Sequence, residues 1–144
     1  MSAQNYANHR QYVTFYHKVT LPILVLTLIG SVVNLCQSWG DHQRIYSASL
    51  LTVLTACTIM ILFFARVFAL KAQDRAIHAE ENLRHFAMTG KLLDSRLSVK
   101  QVVGLRFASD EEFVALARKA AEESLTPDAI KRAVKNWRAD TYRV

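Results

Sequence analysis

Residues that break helices are scarce in this sequence: two Pro and four Gly among 144 residues, with neither type between Gly40 and Gly90. That scarcity excludes Gly-rich or Pro-rich linkers and repeats, and leaves long uninterrupted stretches free to be helical. Cysteine is equally sparse. Cys36 and Cys57 each lie inside an apolar run, and two thiols make no disulfide scaffold. On two helices joined by a short turn they would be offset by roughly 13 Å at 1.5 Å per residue, beyond the ~7 Å Cα separation that a disulfide tolerates. Both are therefore expected to be small buried hydrophobes. Charge is missing over a wide region: residues 19–70 carry only Asp41, Arg44 and Arg66. No H-E-x-x-H and no C-x-x-C-H occurs, so the usual zinc-protease and c-type heme signatures are absent.

What is present divides into an apolar half and a polar half. Residues 19–39 and 45–65 contain no formal charge, and each is close to the roughly 20 residues that carry a helix across a hydrocarbon core of about 30 Å. Only "GDHQR", residues 40–44, separates them. A turn this short predicts an all-α membrane protein built on an antiparallel two-helix transmembrane hairpin. The flanks set its direction: Arg10 and Lys18 precede the first span, Arg66, Lys71 and Arg75 follow the second, and the turn has one Arg. The positive-inside rule then predicts a multi-pass protein with both termini cytoplasmic. The net charge of +6 follows from such flanks and is weak support for nucleic acid. A secretory signal is the competing reading of the first run. Its long aromatic leader, long apolar stretch and lack of an A-x-A site argue for an uncleaved span.

Polar residues within the spans are costly in lipid and so draw attention. Thr27, Ser31, Asn34 and Ser38 share one face of the first span, and Ala48, Thr52 and Ala56 one face of the second. Small and hydroxyl residues at that spacing are expected to pack membrane helices together. Before the first span, "QNYANHRQYVTFYHKV" (residues 4–19) supplies rings with polar tips and cations. Residues 1–18 are expected to form an interfacial segment, with Tyr12, Phe15, Tyr16, His17 and Lys18 as a collar at headgroup depth. Tyr6, His9 and Arg10 are placed there too. His17, His78 and His85 would lie on one side of the membrane, which raises a heme, pigment or metal site; no ligand spacing supports it, and no cofactor is expected.

The polar half begins without a turn signal. The second helix is expected to continue over residues 66–90 into the cytoplasm, to about Thr89 with Gly90 as its cap. Along it Ala65, Ala69, Ala72, Ala76, Ala79, Leu83 and Phe86 alternate in fours and threes, a heptad-like seam that wants a helical partner: the N-terminal segment, a second copy or another protein. Residues 91–144 are expected to form a small cytoplasmic helical tail. Ser98 with Gln101 and Ser109 with Glu112 fit capping boxes, and Thr126 with Pro127 fits an N-cap followed by proline. A last helix would bury Ile130, Ala133, Val134 and Trp137. It would also display a basic stripe of Lys131, Arg132, Lys135 and Arg138, able to meet anionic lipid headgroups or, less readily, phosphates of nucleic acid.

The stretches "QNYANHRQYVTFYH", "LTLIGSVVN", "GKLLDSRLSVKQVVGLRFASDEE" and "IKRAVKNWRAD" together resemble a family of small bacterial membrane proteins of unknown function, over nearly the whole chain. The resemblance implies two spans and a cytoplasmic tail in bacteria, and no activity, cofactor or catalytic residue; the expected location is the bacterial inner membrane. From the residues themselves no enzyme site is expected: Glu111 and Glu112 are adjacent and diverge on a helix, while Glu80 and Glu81 are placed for pairs with Arg84 and His85. The expected role is an accessory or scaffolding subunit of a larger membrane assembly, such as a respiratory or photosynthetic one, bound to lipid and to other subunits or to itself. The alternative is a self-associating membrane adaptor whose basic tail recruits a soluble partner, anionic lipid or nucleic acid.

Overall fold

The computed structural model describes residues 4–8 and 13–140, whose regular elements are all helices, without a strand. Two compact units divide the chain: Tyr12–Phe68, and Met1–Gln11 combined with Ala69–Val144.

The first unit opens with a π-helical turn, Phe15–Thr20, followed by α1, Leu21–Gln37. Pro22 explains the widened turn. It has no N–H for the carbonyl four residues back, and its ring crowds that carbonyl; the Leu21 N–H donates instead to the Tyr16 carbonyl five residues back. Asp41 starts the next helix, its carboxylate accepting from the Gln43 and Arg44 N–H groups at 3.1 Å each. That helix, α2, runs His42–Thr89 without a break, because no Gly or Pro interrupts it until Gly90, which ends it at φ +72°. The 23-residue stretch Phe15–Gln37 and α2 are both long and apolar enough to cross a membrane.

Within this unit Ser31 and Ala48 are almost fully covered, at 3% and 1% exposure, and the Tyr16 hydroxyl donates to the Leu62 carbonyl at 3.2 Å. The Arg66 guanidinium lies over the Tyr16 ring, 5.4 Å from its centre. Most large apolar side chains here, including Ile23, Leu26, Ile29, Val53, Leu54 and Ile61, stay exposed.

In the second unit three short helices pack on one another, α3, Val99–Leu105, α4, Asp110–Glu122, and α5, Pro127–Ala133, and α4 meets the later part of α2 through Asp110 and Phe113. Each starts at a residue that favours starts. Ser98 and Gln101 form the expected capping box, and the Thr126 hydroxyl accepts from the Ala129 N–H at 3.1 Å, with Pro127 in the first turn. Their apolar faces bury Val102, Leu105, Phe107, Phe113 and Ile130 completely. Gly104 makes the α3–α5 approach close: a Cβ there would meet the Pro127 carbonyl oxygen at 3.1 Å.

Two expectations for this unit fail. Ser109 does not cap α4 with its side chain; the Glu112 carboxylate reaches away from the helix and accepts from the Lys135 and Asn136 N–H groups at 3.1 and 3.0 Å. The last helix stops at Ala133, where Val134 turns extended at ψ 121°. Trp137 then bridges to Ala108, with the Arg138 N–H donating to the Phe107 carbonyl at 2.7 Å, and its ring packs on Phe107 at 4.8 Å.

Candidate functional site

The face of α2 that the tail covers is set by one arginine. The Arg84 guanidinium donates to Glu81 at 2.9 Å, to Asp110 at 2.8 Å and to the Ala108 carbonyl at 2.9 Å, and it stacks on the Phe113 ring 4.2 Å from its centre. Arg138 adds a longer contact to the other Glu81 oxygen, 3.7 Å. Glu81 pairs with Arg84 three residues on, rather than with His85 as its spacing predicts; the His85 ring sits 2.7 Å from the Lys91 carbonyl and edge-on to Phe113. The Asn82 side chain accepts from the Leu93 N–H at 2.9 Å. With Ile77 buried beside them, these residues fasten one face of α2 to the tail.

The opposite face carries the alanine seam, and it is bare. Ala72, Ala76, Ala79, Leu83 and Phe86 are exposed, Leu83 at 67% and Phe86 at 50%; Ala69 is half-buried and Ala65 exposed. Residues 4–8 of the N-terminal segment do not cover it. Gln4 pairs both ways with the Asp140 backbone, and the Tyr6 hydroxyl donates to Asp128 at 2.6 Å beneath the Arg132 guanidinium. Tyr6 therefore belongs to the tail's surface, a correction to its expected place in the collar.

Other candidate residues fall as follows. Ser31 and Ala48 are buried and Thr52 and Ala56 half-buried, while Thr27 and Asn34 face outward. The hydroxyls of Thr27, Ser31, Ser38 and Thr52 all donate to carbonyls of their own helix, at 2.7–2.9 Å. Their polarity is thereby satisfied within their own helices. Cys36 is exposed rather than buried, and Cys57 half-buried. Of the collar, Phe15 and Lys18 are exposed and Tyr16 and His17 half-buried; Tyr12, with His9 and Arg10, lies outside the described residues. A mostly apolar groove of about 430 Å³ lies among Phe15, Val19, Ile23, Leu24, Thr58 and Ile61.

The basic stripe is not a stripe. Because α5 ends at Ala133, Lys131, Arg132, Lys135 and Arg138 do not share a helical face. Lys131 lies over the Phe107 ring, Arg132 pairs with Asp128 at 2.9 Å, and Arg138 reaches Glu81. Intrachain partners thus occupy three of the four cations, which weakens the recruitment of phosphates or anionic lipid through this patch.

Electrostatics in the tail follow these pairs. Hydrogen bonds from Arg84 hold the Asp110 carboxyl below the usual carboxylate range, and those from Tyr6 and then Arg132 do the same for Asp128. Asp94, bonded by the Arg96 side chain and backbone, is lowered to about 2. Among the described residues no three His, Cys, Asp or Glu side chains cluster as metal ligands would.

The features missed in the sequence, Arg84 with Glu81 and Asp110, and Glu112 on the Lys135 and Asn136 backbone, depend on partners more than 20 residues apart in three cases.

A family of unknown function (DUF6526) matches residues 1–144 by its sequence profile. The chain belongs to that family. DUF6526 membership therefore takes in the apolar helices and the tail as one unit of descent, and its description assigns no activity or ligand. Searches of curated proteins and of solved structures return no match.

Proposed function

We propose that this protein is a membrane-embedded helical scaffold: an accessory subunit that binds other helical membrane subunits and performs no chemistry of its own. The observation that carries this reading is the bare seam of α2, where Leu83 and Phe86 stay exposed beside Ala72, Ala76 and Ala79 although the same helix has a tail packed on its other side. An apolar face left open by the chain's own fold marks an interaction site.

In this reading α1 and the first part of α2 form an antiparallel hairpin in the bacterial inner membrane. The short turn between Gln37 and His42, the Tyr16 to Leu62 hydrogen bond and the exposed aliphatic side chains on both helices support it. Lys18, Arg66, Lys71 and Arg75 against the single Arg44 support cytoplasmic termini. Phe15, Tyr16, His17 and Lys18 then sit at headgroup depth, where lipid is the first partner.

The test is a gentle-detergent capture of the tagged full-length protein from its native membranes, with mass spectrometry and an absorption spectrum of the eluate. Stoichiometric membrane subunits should co-purify, and replacing Ala72, Ala76 and Ala79 by Leu should release them by forcing the backbones apart. A wild-type eluate without any companion chain, second copies included, would refute the reading.

A further inference from the structure

Numbered as heptads, the bare face of α2 places Ala69, Ala76 and Leu83 at one core position and Ala72, Ala79 and Phe86 at the other. The residues that the tail engages, Ile77, Glu81 and Arg84, fall at the outer positions of that repeat. The tail thus occupies the back of the helix and one edge position, where the Asn82 side chain accepts from the Leu93 N–H, and leaves the seam and the edge residues Arg75 and Glu80 open.

The edges say what fits there. Over positions 68, 73, 75, 80, 82 and 87, which border the seam, Arg75 and Glu80 are the charged residues, the others being Phe, Gln, Asn and Ala. Both are exposed, and among the described residues neither forms an ion pair within the chain. Five residues separate them, so they cannot meet on one helix. In a parallel pair of identical helices that interval is the one that brings an edge residue of one helix to the opposite edge of the other.

We propose that α2 pairs in parallel with α2 of a second copy of this chain, with Ala72, Ala76, Ala79, Leu83 and Phe86 as the seam and Arg75 of each copy facing Glu80 of the other. The seam's small side chains let the backbones approach closely, and Leu83 and Phe86 bury the largest area near its end. An antiparallel pair does not create the Arg75–Glu80 contact, because edges then face their own kind. Parallel alignment is what two copies inserted in the same direction present, so the inference rests on the scaffold reading and names one of its partners.

The experiment co-expresses two differently tagged full-length copies and measures how much of one is recovered with the other in mild detergent. Arg75→Glu places Glu opposite Glu, and Glu80→Arg places Arg opposite Arg. Each variant paired with itself should recover about fivefold less than wild type, while an R75E copy mixed with an E80R copy should recover as much as wild type, its two ion pairs reversed. Both positions are exposed, and unchanged helix content by circular dichroism certifies folding. Equal recovery in every combination, or loss without rescue in the mixed pair, overturns the parallel pairing. If tagged copies never co-purify while other membrane subunits do and are lost on the Ala72, Ala76 and Ala79 to Leu change, the pairing falls and the scaffold stands. If neither is recovered, both fall.

Discussion

Arg84 shows how one side chain decides which face of a helix remains available. Its stem and guanidinium are almost buried against Phe113 while its N–H groups are taken up by Glu81, Asp110 and a carbonyl. Removing it leaves the Glu81 carboxylate, whose side chain is only 7% exposed, with just the longer 3.7 Å contact to Arg138. Arg84→Ala is expected to destabilise the tail by about 3 kcal/mol, in the range for breaking a covered pair by deleting one partner. Fluorescence of Trp137 in a Trp39→Phe background, followed through thermal unfolding of the full chain in detergent, measures it. The same assay reads pH. A carboxyl whose folded pKa is depressed stabilises the fold fully above its ordinary pKa and loses that contribution as pH falls through the folded value. Asp110 and Asp94 are both depressed, Asp94 to about 2. Stability from these groups is therefore flat above pH 5 and declines from about pH 4 toward pH 2. In Arg84→Ala the Asp110 share of that decline should shrink to the smaller effect of Arg138, and an unchanged acid profile would show that Arg84 is not what depresses Asp110.

At the scale of elements, α3 and α5 meet over Gly104, where a Cβ would lie 3.1 Å from the Pro127 carbonyl and 3.4 Å from Ile130 Cγ2. Gly104→Leu forces these helices apart and is expected to cost about 1–3 kcal/mol or to prevent the tail from folding, read as protease cleavage within residues 91–140 under conditions where wild type resists. Elements of this kind were legible where local chemistry decides them. The absence of Pro and Gly from residue 41 to residue 89 marks the length of α2, and Ser98 with Gln101 and Thr126 with Pro127 mark two starts. They were illegible where distant partners decide. Ser109 and Glu112 have capping-box spacing, but the Lys135 and Asn136 N–H groups capture the carboxylate. Residues 134–138 have the apolar and basic spacing of a helix, yet the Ala108–Trp137 bridge and the Arg138 bond to Phe107 hold them out of a helix. The candidate surface had the same limit. Its seam could be read from alanine spacing, whereas the knowledge that it stays open required the position of the tail.

Over the whole molecule, the distribution of charge ties the scaffold reading to a direction of insertion. Lys18 lies just before Leu21, and Arg66, Lys71 and Arg75 lie along α2 beyond the apolar stretch, while the other end has Arg44 paired with Asp41 at 3.4 Å. In the proposed hairpin one side of the membrane meets several cations and the other one, which predicts that both termini share the cytoplasmic side. Reporter fusions check this directly. A fluorescent protein that matures only in the cytoplasm should be bright at either terminus, and alkaline phosphatase, active only outside it, should be active when inserted between Gly40 and Asp41. The balance can also be turned: adding three Lys between Gly40 and Arg44 while replacing Lys71 and Arg75 by Gln should lower the fluorescence of both terminal fusions. The proposed pairing depends on the same outcome, because two copies present parallel seams on α2 only when they insert in the same direction. An equal mixture of orientations in the wild-type chain would leave the Arg75 and Glu80 edges unmatched in half of all encounters.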